Sequence, residues 1–348
     1  MRIFVTGGAG FIGSNFIHKY IINHKILNYD SLTYAGNLSN LESISKSPNY
    51  SFIKGDINDR LLFEKTLSNF QPDKIVNFAA ESHVDRSIDN PDSFLKTNIL
   101  GTYNILNATL KYFNKLKKNK KNKFSFLHIS TDEVYGSLGS DGLFKESTSY
   151  NPSSPYSASK ASSDHLVMAW FKTYNLPVII TNCSNNYGPY QFPEKLIPLV
   201  ITNCLERRTL PIYGDGKNIR DWIYVNDHCE GIMKVLENGK IGETYNIGGN
   251  QEVKNIDLVH KIWKIMDKNK PLTDGKSYLN LIKFVKDRPG HDFRYAIDSS
   301  KIKNQLDFHP SENIDTGLVK TVKWYLNHLD WINEIRIHKY NQERLGEL

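Results

Sequence analysis

Short apolar runs alternate with helical patterns through the first half of the chain. The runs cover residues 3–6, 25–29, 50–54, 74–80, 124–130 and 177–182. Their lengths are typical of buried strands, and a helix is predicted to begin at about Phe11, shortly after the first run. Alternation of this kind indicates parallel strands joined by right-handed crossovers, with helices on both faces of the sheet. We therefore predict an α/β fold with a doubly wound parallel sheet.

Two further patterns concern helices and domains. Asp89-Asn90-Pro91 offers a helix start, and apolar residues at 95, 99, 106, 110 and 113 predict that this helix runs to about Phe113. Beyond Ser184, prolines and glycines break the chain into shorter pieces, which indicates a smaller second α/β domain. We place the sheet domain at 1–182 plus about 218–247, and the smaller domain at about 183–217 and 248–348. Residues 320–331 predict an amphipathic helix.

Composition narrows the class of protein. The 348 residues are 39% hydrophobic, which is enough for a substantial core, and no apolar run approaches the roughly 18 residues of a membrane helix. A glycine-rich turn at residues 7–13 leaves no room for a signal peptide. The cysteines at 183, 204 and 229 are odd in number and lack metal-ligand spacing. We therefore expect a cytoplasmic enzyme with reduced thiols, no metal and no membrane partner.

The net charge of +7 comes from one segment. Residues 111–123 hold seven lysines and no acid, so the rest of the chain is balanced. A local run after a helical pattern is usually a solvated helix end, and the chain carries no nucleic-acid-binding motif. A nucleic-acid partner is therefore not expected.

A glycine-rich turn follows the first predicted strand. Gly7, Gly10 and Gly13, with Phe11 and Ile12 between them, place backbone amides and a positive helix end where a pyrophosphate can bind. This is the pattern of Rossmann-type dinucleotide sites, although such a turn can also be purely structural. Asp30 ends the second strand, where its carboxylate would bind an adenosine ribose and repel a 2′-phosphate. NAD is therefore favoured over NADP, the alternative being that Asp30 only starts a turn.

Two more strand ends are candidates for the cofactor site. Asp56 and Ile57 follow the third run and could flank an adenine, although a turn aspartate is nearly as plausible by position. Ala79 and Ala80 close the fourth run, and their small side chains would let the backbone approach a cofactor. Small residues also simply pack well.

Two groups of reactive side chains follow the later strands. Tyr156 and Lys160 lie four residues apart, so both face one side of a helix, and a neighbouring cation would help the tyrosine to act as a base. Thr131, Asp132 and Glu133 end the fifth run. Two carboxyls beside a hydride-transfer pair suggest a second reaction, the removal of water. Adjacent carboxyls can also split their titrations, which would leave Asp132 protonated and Glu133 ionised. The alternatives are an exposed helix pair and ordinary turn or cap residues.

With these residues in place, the chain resembles the extended short-chain dehydrogenase/reductase family, and within it the dTDP-glucose 4,6-dehydratases. Matching stretches extend from residue 6 to 298 and include TGGAGFIGS, LTYAGNL, FAAESHVDRSI, HISTDEVYG, SPYSASKASSDHLV, SNNYGPYQFPEKLIP, PIYGDG, IRDWIYVNDH and DRPGHDFRYAID. The resemblance implies NAD as cofactor and a nucleotide sugar as substrate. It also implies that Tyr156 takes the C4 hydroxyl proton while Thr131 orients that hydroxyl. Glu133 would then remove the C5 proton, and Asp132 would protonate the departing C6 hydroxyl.

The resemblance also assigns binding residues. It places Thr97 and Asn186 on the NAD side, and on the sugar-nucleotide side it places Ser82, Asn185, Lys195, Leu196, Pro211, Tyr213, Arg220, Asn255, Arg288 and His291. Arg220 and Arg288 also make physical sense, because a diphosphate needs forked cationic donors. His83 could instead be a buried structural histidine, and Tyr213 a packed aromatic.

Several readings compete within the same fold. Nucleotide-sugar 4-epimerases and UDP-glucuronate decarboxylases share the glycine loop and the Tyr/Lys pair but should lack the acidic pair at 132 and 133. A UDP-glucose 4,6-dehydratase would keep that pair and differ only at the base pocket. A non-catalytic NAD-binding scaffold should have lost the reactive residues. The resemblance further implies a homodimer that pairs the helices near 94–113 and 156–173.

Overall fold

The computed structural model describes residues 1–287 and 289–338. Its strands are β1 (Arg2–Thr6), β2 (Lys25–Asp30), β3 (Tyr50–Lys54), β4 (Lys74–Asn77), β5 (Ser125–Thr131), β6 (Val178–Cys183), β7 (Asn185–Tyr187), β8 (Leu210–Tyr213), β9 (Ile219–Tyr224), β10 (Thr244–Ile247), β11 (Glu252–Lys254) and β12 (Ile282–Val285).

The helices complete the description. They are α1 (Phe11–Tyr20), α2 (Arg60–Phe70), α3 (Val84–Asp89), α4 (Pro91–Phe94), α5 (Thr102–Lys115), α6 (Lys118–Lys121), α7 (Pro155–Tyr174), α8 (Leu196–Glu206), α9 (Val225–Asn238), α10 (Asn255–Asn269), α11 (Ser300–Leu306), α12 (Ile314–Asn327) and α13 (Leu329–His338). A π-helical segment, Leu95–Gly101, joins α4 to α5, and a 3₁₀ turn, Asp132–Tyr135, follows β5.

A seven-stranded parallel sheet organises the chain in the order β10-β6-β5-β4-β1-β2-β3. Alternate residues of β1 point to opposite faces, as the pleat requires. Ile3 and Val5 pack into a cluster with residues of α1 and α9, whereas Phe4 packs with residues of α2, α5 and α7. Helices thus cover both faces, which confirms the predicted doubly wound sheet. The carboxyl ends of the parallel strands consequently meet at one edge.

The predicted elements differ from the observed ones at three places. Strand β4 ends at Asn77, not at residue 80, because the chain there leaves the ladder and passes the glycine turn. The helix predicted to run to about Phe113 continues to Lys115 and contains the π segment.

The single helix predicted at 320–331 is wrong. Helix α12 ends at Asn327 and α13 begins at Leu329. His328 between them has non-helical dihedrals. Its ring stacks on the Trp324 ring, and its Nδ1 atom is hydrogen-bonded to the Trp324 carbonyl. The break lets Trp331 pack against both Trp324 and Tyr190.

Two smaller sheets stand beside the large one. The order β11-β9-β7 forms one sheet, and β12 pairs with β8 in parallel to form the other. Helices α8, α10 and α12 pack into a separate apolar cluster around these strands. Within the described part of the chain, no helix is both long and apolar enough to cross a membrane.

Candidate active site

The glycine turn shows close backbone packing at the carboxyl end of β1. Gly7 has a φ of +69°, and a Cβ there would lie 2.6 Å from the Ala79 nitrogen. A Cβ on Gly13 would lie 2.5 Å from the Gly7 carbonyl oxygen. Larger residues would therefore push the turn away from the neighbouring strand end, so both positions require glycine.

The start of α1 is suited to an anion. Its N-cap is Gly10, no side chain caps it, and the first turn carries no acid. The first amides of a helix have no partner within the helix, so the amides of Phe11, Ile12 and Gly13 are available to a pyrophosphate. Asp30 lies beside this turn, where it accepts hydrogen bonds from the Ala9 and Leu32 amides at 2.9 and 2.8 Å. The residues present therefore fit a dinucleotide with an unphosphorylated ribose.

The other predicted cofactor residues are placed less uniformly. Ala79 and Ala80 follow β4 directly beside the glycine turn. Ile57 is buried against Gly101, whereas the Asp56 side chain is exposed and caps a turn at Asn58.

Thr97 and Asn186 complete the predicted cofactor set. Thr97 is half-buried in the π segment. Asn186 bonds His228 through its side chain at 2.8 Å and accepts a bond from Gln191 at its carbonyl.

The reactive side chains converge at the ends of β5 and α7. Thr131 is the last residue of β5, and its hydroxyl accepts the Glu133 amide at 3.2 Å. The Thr131 hydroxyl lowers the pKa of the Tyr156 phenol, whereas the Glu133 and Asp132 carboxyls raise it, so these side chains lie close together. The packing of α7 on β5 explains the convergence, because the first two turns of the helix lie at the end of the strand.

Asp132 is a buried acid. It is 1% exposed, and burial, reinforced by Glu133 and Asp221, raises its pKa well above the ordinary value. Arg220 opposes the shift. The Asp132 Oδ2 atom is buried with no hydrogen-bond partner among the described residues. A carboxyl held neutral in this way can donate a proton, which is the state that the sequence argument required of it.

The Tyr156 and Lys160 side chains are both buried. Lys160 donates to the Ile129 carbonyl at 2.8 Å, and burial lowers its pKa while Asp164 opposes that change. The spacing of Tyr156 and Lys160 in the sequence predicts that the Lys160 cation lowers the pKa of Tyr156. In the protein without ligand the direction is the opposite, because burial and the Glu133 carboxylate raise the pKa of Tyr156 well above its ordinary value.

Arg220 and two asparagines form part of the predicted substrate side. The Arg220 guanidinium stacks 4.3 Å over Tyr295 and donates to the carbonyls of residues 219, 292 and 293. The Oδ1 atoms of Asn185 and Asn255 are buried without hydrogen-bond partners in the described part of the chain. Such acceptors are costly unless a ligand donates to them.

The remaining predicted substrate residues form two local groups. Lys195, directly before Leu196 at the start of α8, donates to the Ser82 carbonyl at 2.7 Å. Tyr213, two residues after Pro211, donates to Asp85 at 3.3 Å and lies 6.1 Å from the His291 ring. Arg288 and the tail after residue 338 lie outside the described residues.

Sequence reasoning missed a buried ion pair near these groups. Arg86 donates to Glu194 at 2.6 Å and lies 4.0 Å over the Tyr34 ring. The Glu194 side chain is 1% exposed and also hydrogen-bonds the Tyr34 phenol. The pair joins α3 to the loop before α8. Only the presence of charges inside otherwise matching motifs could have indicated it.

A buried polar network beneath Lys160 was also missed. Its central members are His128, inside the apolar β5 run, and Asp164, one helical turn beyond Lys160. Burial lowers the pKa of His128 to about 4, so this ring is neutral. The available signal was a histidine in an otherwise apolar strand.

Comparison with known proteins agrees with this geometry. Residues 4–321 match the family described as GDP-mannose 4,6 dehydratase. A dTDP-glucose 4,6-dehydratase from Xanthomonas campestris is 52% identical over 343 residues, covering 98% of each chain.

Solved structures of similar proteins include two dTDP-glucose 4,6-dehydratases. One, from Bacillus anthracis in complex with NAD, has a TM-score of 0.85 and 48% identity over 96% of this chain and 99% of that chain. The other, from Streptomyces venezuelae with NAD and dTDP bound, has a TM-score of 0.88 and 42% identity over 96% of this chain and 100% of that chain. The chain therefore belongs to the GDP-mannose 4,6 dehydratase family and, within it, to the dTDP-glucose 4,6-dehydratases.

Proposed function

We propose that the protein uses NAD to convert dTDP-glucose into dTDP-4-keto-6-deoxyglucose and water. The observation that carries this proposal is the convergence of Thr131, Asp132, Glu133 and Tyr156, with Asp132 buried and its pKa raised. An epimerase needs the tyrosine but has no use for a neutral acid beside a second carboxyl. The similar enzymes that were solved with NAD support the choice of cofactor.

The first half of the reaction is an oxidation at C4. Tyr156, as its phenolate, accepts the C4 hydroxyl proton, and Thr131, whose hydroxyl lowers the pKa of that phenol, orients the C4 hydroxyl. The glycine turn, Asp30 and Lys160 would hold NAD, which when bound would supply a hydride acceptor for C4 and later the hydride for C6. The sugar leaves this step as a 4-ketone.

The second half removes water. The 4-ketone acidifies the C5–H bond, and Glu133 takes that proton. The Asp132 carboxyl gives its proton to the C6 hydroxyl, which departs as water and leaves a C5–C6 double bond. As C6 is reduced, Glu133 returns a proton to C5. The order requires an ionised Glu133 beside a protonated Asp132, and burial of Asp132 provides the difference.

Binding of the nucleotide diphosphate is assigned to the second set of residues. Arg220 has the forked donors that a diphosphate needs, although its guanidinium must exchange carbonyl partners to use them. The Asn185 acceptor on β7 and the Asn255 acceptor, directly after β11, lie on or beside the two strands that pair with β9, which carries Arg220. UDP-glucose is the alternative substrate, since it carries the same sugar and diphosphate and differs only in the nucleoside, by the base methyl group and the ribose 2′-hydroxyl.

Incubation with dTDP-glucose and with UDP-glucose in deuterated water tests the proposal. We expect faster formation of the 4-keto-6-deoxy product from dTDP-glucose, with deuterium at C5. Faster turnover of UDP-glucose would overturn the choice of nucleotide. A C4 epimer as product would overturn the reaction.

We also propose that two copies of the chain pair through α5, α7 and the π segment. Leu95, Leu100 and Tyr103 are 47%, 56% and 41% exposed on this face, which is a large apolar area for a free surface. Light scattering should give twice the mass of one chain, and Leu100→Glu should reduce it to that of a monomer. A wild-type protein that is monomeric at micromolar concentration would refute the pairing.

The division into two domains and the cytosolic location are proposals as well. The separate apolar cluster around β7, β8 and β9 supports a second domain, but it includes β9, which the predicted boundaries assign to the sheet domain. The three cysteines are buried and unpaired, which suits a reducing compartment.

A further inference from the structure

Asp164 lies at the centre of a buried polar cluster that the mechanism does not use. It is 1% exposed and lies on α7, one turn after Lys160. Its Oδ2 atom accepts hydrogen bonds from Ser130 at 2.8 Å, Tyr150 at 3.0 Å and Asn182 at 3.4 Å. A buried carboxyl group is costly unless several donors face it, and here they come from three separate segments.

His128 connects the same cluster to Lys160. The Thr6 hydroxyl donates to the Asn77 carbonyl oxygen, so the Asn77 amide nitrogen donates to His128 Nδ1 at 3.0 Å. The ring proton of the neutral His128 must then be on Nε2. That atom lies 3.4 Å from Asp164 Oδ1 and 3.4 Å from Lys160 Nζ. With its proton on Nε2, His128 can donate to the Ser163 hydroxyl at 3.2 Å, so the ring lies between Ser163, Asp164 and Lys160.

The cluster also reaches the strand that carries the acids. Ser130 directly precedes Thr131, and Asn182 donates to the Thr131 carbonyl at 3.0 Å while it approaches Asp164. Asp164 thus links the end of β5 to α7. The first two turns of that same helix carry Tyr156 and Lys160. The two sets of residues belong to different half-reactions, oxidation at C4 and elimination across C5 and C6.

We propose that Asp164 is a positioning residue that fixes the end of β5 relative to α7, so that one bound sugar is within reach of Tyr156 for oxidation and of Asp132 and Glu133 for elimination. This rests on the proposed function. Asp164 touches no reacting atom, and it acts through Ser130, Asn182 and His128. A displacement of about 1 Å at a reacting group can cost about 100-fold in rate, so small shifts of the strand end should slow one half-reaction more than the other.

The sharpest test replaces Ser130 by alanine and compares it with Ser125→Ala. Both serines are buried on β5, but Ser125 lies at the opposite end and accepts a hydrogen bond from Lys74 at 3.0 Å. We expect Ser130→Ala to lower kcat by about 10-fold and to raise the steady-state fraction of NADH during turnover, because elimination slows more than oxidation. Ser125→Ala should keep the wild-type NADH fraction.

Asp164→Asn tests the charge. We expect kcat to fall by about 100-fold with KM changed by less than about threefold. The groups that face Lys160 are His128 on β5, Cys183 on β6 and Asp164 on α7 itself. Loss of the carboxylate lets Lys160 deprotonate more readily, so the alkaline side of the kcat profile should move to lower pH. A purely structural role would lower the melting temperature without moving that side.

The outcomes separate this inference from the proposed function. If the wild-type protein makes no 4-keto-6-deoxy product from dTDP-glucose or UDP-glucose, the proposed function is wrong. If the wild type makes the product while Ser130→Ala keeps its kcat and NADH fraction, the positioning role of Asp164 is wrong. A folded Asp164→Asn variant with wild-type kcat and pH profile contradicts it as well. If Asp164→Asn does not fold, Ser130→Ala decides alone.

Discussion

Replacing Asp132 by asparagine exchanges a buried acid for an amide of nearly the same shape. The structure indicates that the acid is already neutral, since burial and the neighbouring Glu133 raise its pKa. The substitution therefore removes the acidic proton without removing a charge. We expect it to block loss of the C6 hydroxyl while leaving oxidation at C4 in place.

The catalytic cost follows from the role of a general acid. Loss of such a group typically slows a reaction by about 10²- to 10⁴-fold, or about 3 to 5 kcal/mol of activation free energy. Stability should change in the other direction. A carboxyl whose pKa is raised in the folded state contributes its full stabilisation below its unfolded pKa. That contribution is lost as pH rises through the folded pKa. The variant should therefore gain stability relative to the wild type as pH rises from acid to neutral.

Two measurements check these expectations. Mixing enzyme with dTDP-glucose and following NADH absorbance should show reduced cofactor accumulating in Asp132→Asn, while 4-keto-6-deoxy product forms at least about 100-fold more slowly. Urea unfolding at several pH values reports the stability difference. Asp330→Asn, a change at an exposed aspartate on α13, is the control and should match the wild type in both.

Two results would refute the reasoning. Dehydration at the wild-type rate would show that another group protonates the leaving hydroxyl. A stability difference that does not grow with pH would show that Asp132 is ionised in the folded protein.

Three other predictions concern the cofactor turn, the buried ion pair and the buried histidine. Gly7→Ala should weaken NAD binding at least tenfold, measured by fluorescence titration, because of the positive φ and the close strand end, whereas Gly139→Ala, with open space around it, should not. Arg86→Ala leaves the Glu194 carboxylate buried without its guanidinium partner, so the free energy of unfolding in urea should fall by about 3 kcal/mol; a loss below about 1 kcal/mol, as for exposed pairs, would contradict this. Burial lowers the pKa of His128 from its ordinary value of 6.5 to about 4 in the folded protein. The neutral ring therefore contributes its full stability above pH 6.5, and the free energy of unfolding falls by about 3 kcal/mol as pH drops through 4. His128→Asn should lack that loss in parallel urea titrations, and equal slopes for both proteins would argue against a neutral buried ring.

Much of the fold was predictable because its determinants are local. The alternation of apolar runs and helical patterns predicts the parallel sheet, and the apolar positions of β1 predict that both of its faces are buried. The break at His328 was not predictable, because it depends on Trp331 packing against Trp324 and Tyr190, which lie far apart in the sequence. The early end of β4 likewise depends on the approach of the glycine turn.

The residue types of the candidate site were also predictable, since the glycine turn, Asp30, the acidic pair and the Tyr/Lys pair occur in short motifs. The pKa shifts of these residues were not predictable. The motif suggested that Lys160 would make Tyr156 more acidic, whereas burial raises the pKa of the phenol in the protein without ligand. Burial is a property of the whole packed site, and no four-residue spacing reports it.

The sequence by itself determined the class of fold, the dinucleotide turn and the reactive groups, because each depends on residues close together in the chain. Only the tertiary structure decided which of these groups meet, that burial raises the pKa of Asp132, and that Arg86 pairs with Glu194 and His128 with Asp164. The physical reason is that desolvation and pairing arise from contacts between β4, α3, β5, α7 and the loop before α8. The chain order separates those segments, and folding alone brings them together.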